Sequence, residues 1–128
     1  MMKWLTALTM LLVLSACGGE EDLDGVLTIS SDELQTQVEA GLEETVQYVD
    51  VREPDEFAEA AVPGFENIPM DDVIENPSII DEERDVVILC QTQNRSAEVA
   101  ESLIEAGFDE ERVIVVEGGI SDYEGAKE

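Results

Sequence analysis

The sequence predicts a small α/β domain built on a mostly parallel sheet, and three observations carry that prediction. Short apolar or β-branched runs recur along the chain, around Val26, Val46, Val86 and Val113. Segments with helical spacing of apolar residues separate them, and strands alternating with helices are the pattern of parallel α/β units. The run Val86-Val87-Ile88-Leu89 is apolar at every position, as expected of a strand covered on both faces.

The elements follow in order. Val26-Leu27-Thr28-Ile29 reads as a short strand. Ser30 with Glu33 forms a capping-box pattern that opens a helix through Leu34, Val38 and Ala40, and Gly41 ends it. Residues 46–51 form the second strand. Pro54 suits the first turn of a short helix over residues 55–60, and Val62-Pro63-Gly64 is a turn. Asn67-Ile68-Pro69 is a brief extended piece, and residues 71–75 make one or two helical turns. The Val86 strand comes next, then a polar loop and a helix over residues 96–106 stopped by Gly107. Arg112 to Val116 is a last strand, and Glu117-Gly118-Gly119 turns into a short helix with Tyr123.

With 128 residues the chain suits one compact domain with a modest core. Its first segment is read separately. Lys3 precedes an apolar run from Trp4 to Leu14, too short to span a bilayer but right for the apolar region of a secretory signal. The run closes on Leu14-Ser15-Ala16-Cys17, which resembles the lipobox of bacterial lipoprotein signals. That resemblance implies cleavage before Cys17 and acylation of its thiol, at about 0.8 kcal/mol of membrane affinity per buried CH₂. An ordinary signal peptide or a short anchor helix is the alternative. The expected organisation is a signal peptide over residues 1–16, a lipidated cysteine and flexible acidic tether over 17–25, and the folded domain over 26–128. The product would be exported and anchored to a lipid bilayer at the bacterial cell envelope.

Composition narrows the chemistry. The chain has no histidine and two cysteines, which excludes a Ser-His-Asp triad, a Cys-His dyad and a His-ligated metal. No spaced calcium loop is present, and neither a metal nor another cofactor is expected. Net charge is −26, and losing Lys3 with the signal takes it to about −27, so nucleic acid and anionic lipid surfaces are poor partners. The acids are scattered along the chain, which reads as a solvated surface adapted to a saline exterior. A basic protein partner is the sharper alternative.

Cys90 follows the Val86 strand and precedes the polar loop Gln91-Thr92-Gln93-Asn94-Arg95. The carboxyl end of a central strand, facing a helix amino terminus, is where open α/β sheets bind ligands. Backbone N–H groups and the helix dipole there favour an anion, a thiolate included. The alternative is that Cys90 is a small buried hydrophobe. If Cys17 is lipidated, Cys90 is the sole free thiol, and an unpaired thiol in an exported protein is a candidate reactive one.

Four blocks then carry a family resemblance: Val49-Asp50-Val51-Arg52-Glu53-Pro54 with Glu56-Phe57; Val62-Pro63-Gly64 with Asn67-Ile68-Pro69; Val86 to Ser96; and Glu117-Gly118-Gly119-Ile120. From about Val26 to Gly125 the chain resembles a single-domain rhodanese, a thiosulfate sulfurtransferase. The resemblance implies a rhodanese-like α/β fold with helices on both faces of the sheet. The spacing Cys90-x4-Arg95 is the rhodanese loop; a cysteine phosphatase needs Cys-x5-Arg, where this chain has Ser96. By that resemblance Cys90 is the nucleophile and persulfide carrier. The backbone N–H groups of Gln91, Thr92, Gln93, Asn94, Arg95 and Ser96 bind the sulfur donor. A small anionic sulfur donor and a thiol or cyanide acceptor are the implied partners. Arg95 either attracts the donor and leaving sulfite or braces the loop against Asp50 or another acid, and Arg52 is read as mainly structural beside Asp50.

The chain departs from the family pattern at four places. Gln91 stands where many members carry a basic residue, and Gln93 stands where many carry glycine. Ala60-Ala61 replaces a Gly-His pair, and Tyr123 replaces a common tryptophan. Gln93 cannot adopt positive φ as cheaply as glycine, so a strained or rearranged loop is expected. Two other functions stay open on the same residues: a tethered, non-catalytic binding module, and a redox thiol that needs an external partner.

Overall fold

A computed structural model describes residues 25–128; Cys17, the proposed signal and most of the tether lie outside the described residues. The chain forms β1 (Leu27–Ile29), α1 (Ser31–Ala40), β2 (Val46–Asp50), α2 (Pro54–Glu59) and β3 (Glu66–Asn67). It continues through α3 (Met70–Glu75), β4 (Asp85–Leu89), α4 (Asn94–Glu105), β5 (Val113–Val116) and α5 (Gly119–Asp122). The five strands form one sheet in the order β1-β5-β4-β2-β3, and every pair is parallel. The α/β expectation therefore holds.

Alternation along the strands gives the sheet two apolar faces. Val49, Val51, Val86, Ile88, Val113 and Val115 point to one side, where Val73 of α3 and Val99, Ala100 and Leu103 of α4 cover them. Tyr48, Val87, Leu89 and Val116 point to the other, against Leu34 of α1, Ile120 of α5 and Phe57 of α2. The run Val86–Leu89 is buried at every position, because β4 is the middle strand with helices on both sides.

Local signals set most boundaries. Ser30 caps α1, its hydroxyl accepting from Glu33 N–H at 3.0 Å while Glu33 accepts from Ser30 N–H. Pro54 opens α2. The main correction is α4, which begins at Asn94 rather than Ser96. Gln93 O accepts the first turn's N–H, from Ala97, at 2.9 Å, so the last two loop positions belong to the helix. Two short 3-10 turns, Pro77–Ile79 and Glu110–Arg112, had no sequence counterpart in the prediction.

Candidate active site

β4 ends at Leu89, and Cys90 follows at the carboxyl edge of the sheet with 1% of its surface exposed. Its Sγ lies 3.4 Å from the Ser96 backbone nitrogen, which donates to it. The same sulfur is 3.5 Å from Ser96 Oγ, and that hydroxyl donates to Gln93 O at 3.1 Å. Ser96 is fully buried, so the sulfur has one fixed donor, the Ser96 N–H, while its own S–H is directed at Ser96 Oγ.

Among the described residues, the backbone N–H groups of Gln91, Thr92, Gln93, Asn94 and Arg95 donate to no protein acceptor. Helix geometry explains the last two: the first N–H groups of α4 have no intrahelical partner. A turn of successive free N–H groups beside a helix N-terminus is an anion cradle. Gln91, Thr92 and Asn94 are exposed, while Gln93 and Arg95 are half-buried.

The loop carbonyls, by contrast, are committed to the β5–α5 turn. Ile120 N–H donates to Cys90 O at 2.9 Å and Ser121 N–H to Gln91 O at 3.0 Å. Gly118 and Gly119 make this approach possible, with φ of +75° and +60°. A Cβ at Gly119 would run into the carbonyl oxygens of Cys90 and Thr92. The glycine pair was part of a recognised block, yet its function as a backbone clamp on the cysteine loop is visible only in three dimensions.

Gln93 resolves its conflict with positive φ by rearrangement. Its φ is −161° and ψ 2°, and no non-glycine residue among those described has positive φ. The side chain supplies a contact that glycine cannot, since Gln93 Oε1 accepts from Gly118 N–H at 2.9 Å. Gln91 reaches the same partner segment, donating from Nε2 to Ser121 Oγ at 3.0 Å.

The arginines are engaged with acids. Arg95 forks onto Glu56 of α2, Nη1 to Oε1 at 2.7 Å and Nη2 to Oε2 at 3.1 Å. The Arg95 hydrogen bonds, then the Glu53 N–H, hold the Glu56 carboxyl down at about 2; the same pairing raises Arg95. Asp50 is not the acid that takes Arg95, because Arg52 occupies it. Arg52 Nε and Nη2 donate to Asp50 at 2.8 to 3.1 Å, and Arg52 Nη2 also donates to Ala60 O at 2.7 Å. Both members of that pair are almost completely buried. Glu56 lay in a recognised block without a role assigned; the i, i+39 pairing to Arg95 leaves no local sequence signal.

Against known proteins, the family description "Rhodanese-like domain" matches residues 31–126. YtwF of Bacillus subtilis, provisionally named a sulfurtransferase, is 35% identical over 97 residues, covering 76% of this chain and 89% of that protein. A protein of Allochromatium vinosum named "Sulfurtransferase" is 36% identical over 77 residues, covering 60% of this chain and 70% of its own length. Among solved structures, a rhodanese-like domain protein from Staphylococcus aureus superposes with a TM-score of 0.68 at 32% identity, over 80% of this chain and 97% of that one.

Proposed function

This chain belongs to the rhodanese-like domain family, and we propose that it is a sulfurtransferase that carries sulfane sulfur from thiosulfate, or a similar donor, as a persulfide on Cys90. One observation carries this reading: a buried thiol receives the Ser96 N–H at 3.4 Å inside a loop whose other N–H groups are uncommitted. In the proposed reaction the Cys90 thiolate attacks the outer sulfur of thiosulfate, forming Cys90 S–S and releasing sulfite with the electron pair of the broken S–S bond. The negative terminal sulfur then rests among the loop donors, an arrangement of the oxyanion-hole type. A thiol or cyanide removes that sulfur and returns the thiolate.

Arg95 is assigned here to bracing first. Its fork to Glu56 fixes α4 to α2 and leaves its charge only partly available to an incoming anion. Gln91 adds no charge at the mouth, so donor recognition falls to the backbone cradle.

The test is mass spectrometry after incubation with thiosulfate. One added sulfur atom on Cys90, absent in Cys90→Ser, is expected. The burial of Cys90 and the occupied Arg95 favour a second reading, a non-catalytic binding module, which predicts no added sulfur with any donor. Export and lipid anchoring through Cys17 are part of the proposal, supported by the Leu14-Ser15-Ala16-Cys17 motif. Incorporation of labelled fatty acid, lost in Cys17→Ala, tests them.

A further inference from the structure

Beside the cysteine loop lies a cleft of about 360 Å³, lined by Arg52, Glu56, Glu59, Gln91, Ser121 and Lys127 among others. That volume is of small-molecule size. Gln91, covalently next to Cys90, forms one wall, and its hydrogen bond to Ser121 spans the boundary between loop and α5.

The charges on the wall sort into committed and free. Arg52 is neutralised by Asp50, and Glu56 lies within hydrogen-bond distance of Arg95. Glu59 and Lys127 make no ion pair and no side-chain hydrogen bond among the described residues, with each other or with anything else. For Lys127 this is unusual in a chain with 32 acidic residues and 6 basic ones. The four arginines all bind protein acceptors: Arg52 and Arg95 as above, Arg84 to Asp81, Arg112 to Glu83 O.

Backbone pairing sets the two free charges at one cleft. Ala61 N–H donates to Glu128 O at 3.0 Å and Glu128 N–H to Ala61 O at 2.7 Å. This lays the segment carrying Lys127 alongside the exit from α2, whose last residue is Glu59. Opposite charges thus line the same cleft without closing on one another.

We propose that this cleft binds the sulfur acceptor, and that the acceptor is a zwitterionic α-amino-acid thiol, with its carboxylate at Lys127 and its ammonium at Glu59. The inference rests on the sulfur-transfer reading above. The bound thiolate attacks the outer sulfur of the Cys90 persulfide, which stands about 2 Å beyond Sγ. A new S–S bond forms to the acceptor, the bond to Cys90 Sγ breaks, and its electron pair restores the Cys90 thiolate. The acceptor leaves as a persulfide, and no outside oxidant or reductant is needed. Gln91 and Ser121 are neutral here, so the two free charges set selectivity.

The experiment loads Cys90 with sulfur and follows its loss by mass spectrometry with four acceptors at equal thiolate concentration. They are L-cysteine (both charges), cysteamine (ammonium only), 3-mercaptopropionate (carboxylate only) and 2-mercaptoethanol (neither). L-cysteine is expected to be preferred by about fivefold over each singly charged thiol, the scale of one exposed ion pair. Lys127→Ala should abolish its advantage over cysteamine, and Glu59→Gln its advantage over 3-mercaptopropionate. Lys127→Glu should place L-cysteine below cysteamine. Equal rates for the four thiols, or variants that change all four rates alike, overturn the proposal while leaving sulfur transfer intact. Failure of Cys90 to load from any donor overturns both readings.

Discussion

Arg95 and Glu56 meet in a two-point fork at 2.7 and 3.1 Å, so the loop's arginine is already held by a carboxylate from a neighbouring helix. This bidentate geometry is the strong form of the pair, and it sets two demands against each other. The fork orders the loop, and it also offsets positive charge that a dianionic donor would use. Glu56→Gln keeps a hydrogen-bonding side chain and removes the competing charge. The KM for thiosulfate is expected to fall about threefold to tenfold, the effect of one added net positive charge near the mouth. Steady-state kinetics check this; an unchanged KM with a lowered kcat would show that Arg95 acts only as a brace.

The same pair gives stability a pH dependence with a defined sign. The Glu56 carboxyl lies at about 2 in the folded chain against an ordinary 4.5. The unfolded chain therefore takes up the proton first on acidification. The contribution is fully present above about pH 4.5 and is lost as pH falls through about 2. Glu56 is a third exposed, so solvent screening limits it to below about 1 kcal/mol. Urea midpoints of the wild type and Glu56→Gln should differ near neutrality and converge on acidification. A gap that widens towards low pH would contradict the assignment.

Gly119 is the position where the clamp tolerates least. Its φ is +60° and a Cβ would overlap the carbonyl oxygens of Cys90 and Thr92, which belong to the backbone and cannot swing aside. Gly119→Ala is expected to cost about 2 kcal/mol or more and to displace the cysteine loop. Thermal unfolding and persulfide loading should both suffer. A variant with native stability and normal loading would show that the turn is not tightly coupled to the loop.

The sequence carried the fold further than it carried the site. Among the described residues, apolar runs, capping signals and turn residues located four of the five strands and the five helices, because these depend on neighbours within one turn or one pleat. β3 (Glu66–Asn67) shows in the sequence only as a brief extended piece over residues 67–69. Cys90, its loop and Ser96 were legible for the same local reason. The α4 start was missed by two residues, since Asn94 and Arg95 look like loop residues until Gln93 O takes Ala97 N–H. Glu56, Gly118, Ser121, Glu59 and Lys127 reach the site only through pairings that join distant segments. No periodicity encodes such pairings.

Gln93 tests whether a side-chain contact can replace a glycine's conformational freedom. Gln93→Gly restores the common family residue but removes the acceptor from Gly118 N–H and adds chain entropy to the unfolded state. The lost hydrogen bond is worth about 1 kcal/mol and the added entropy about 0.5–1 kcal/mol. A Tm lower by several degrees is expected, at about 4–8 °C per kcal/mol for a domain of this size. An equal or higher Tm would mean that the observed loop stores strain which glycine relieves.

Salt separates the field of the whole protein from that of the loop. The net charge of −26 repels thiosulfate, and the loop's opposition to that field is weakened because Arg95 is paired with Glu56 and Gln91 is neutral. At about 0.15 M salt the screening length is about 8 Å. Distant carboxylates then fade, while backbone N–H groups in direct contact with the donor do not. The KM for thiosulfate is therefore expected to fall as salt rises, with kcat nearly constant. The Glu56→Gln enzyme, with Arg95 released, should show a shallower fall, because screening then weakens an attraction as well as a repulsion. Initial rates across a salt series measure both slopes. A wild-type KM that climbs steadily with salt would mean that a direct ion pair to the donor outweighs the acidic surface.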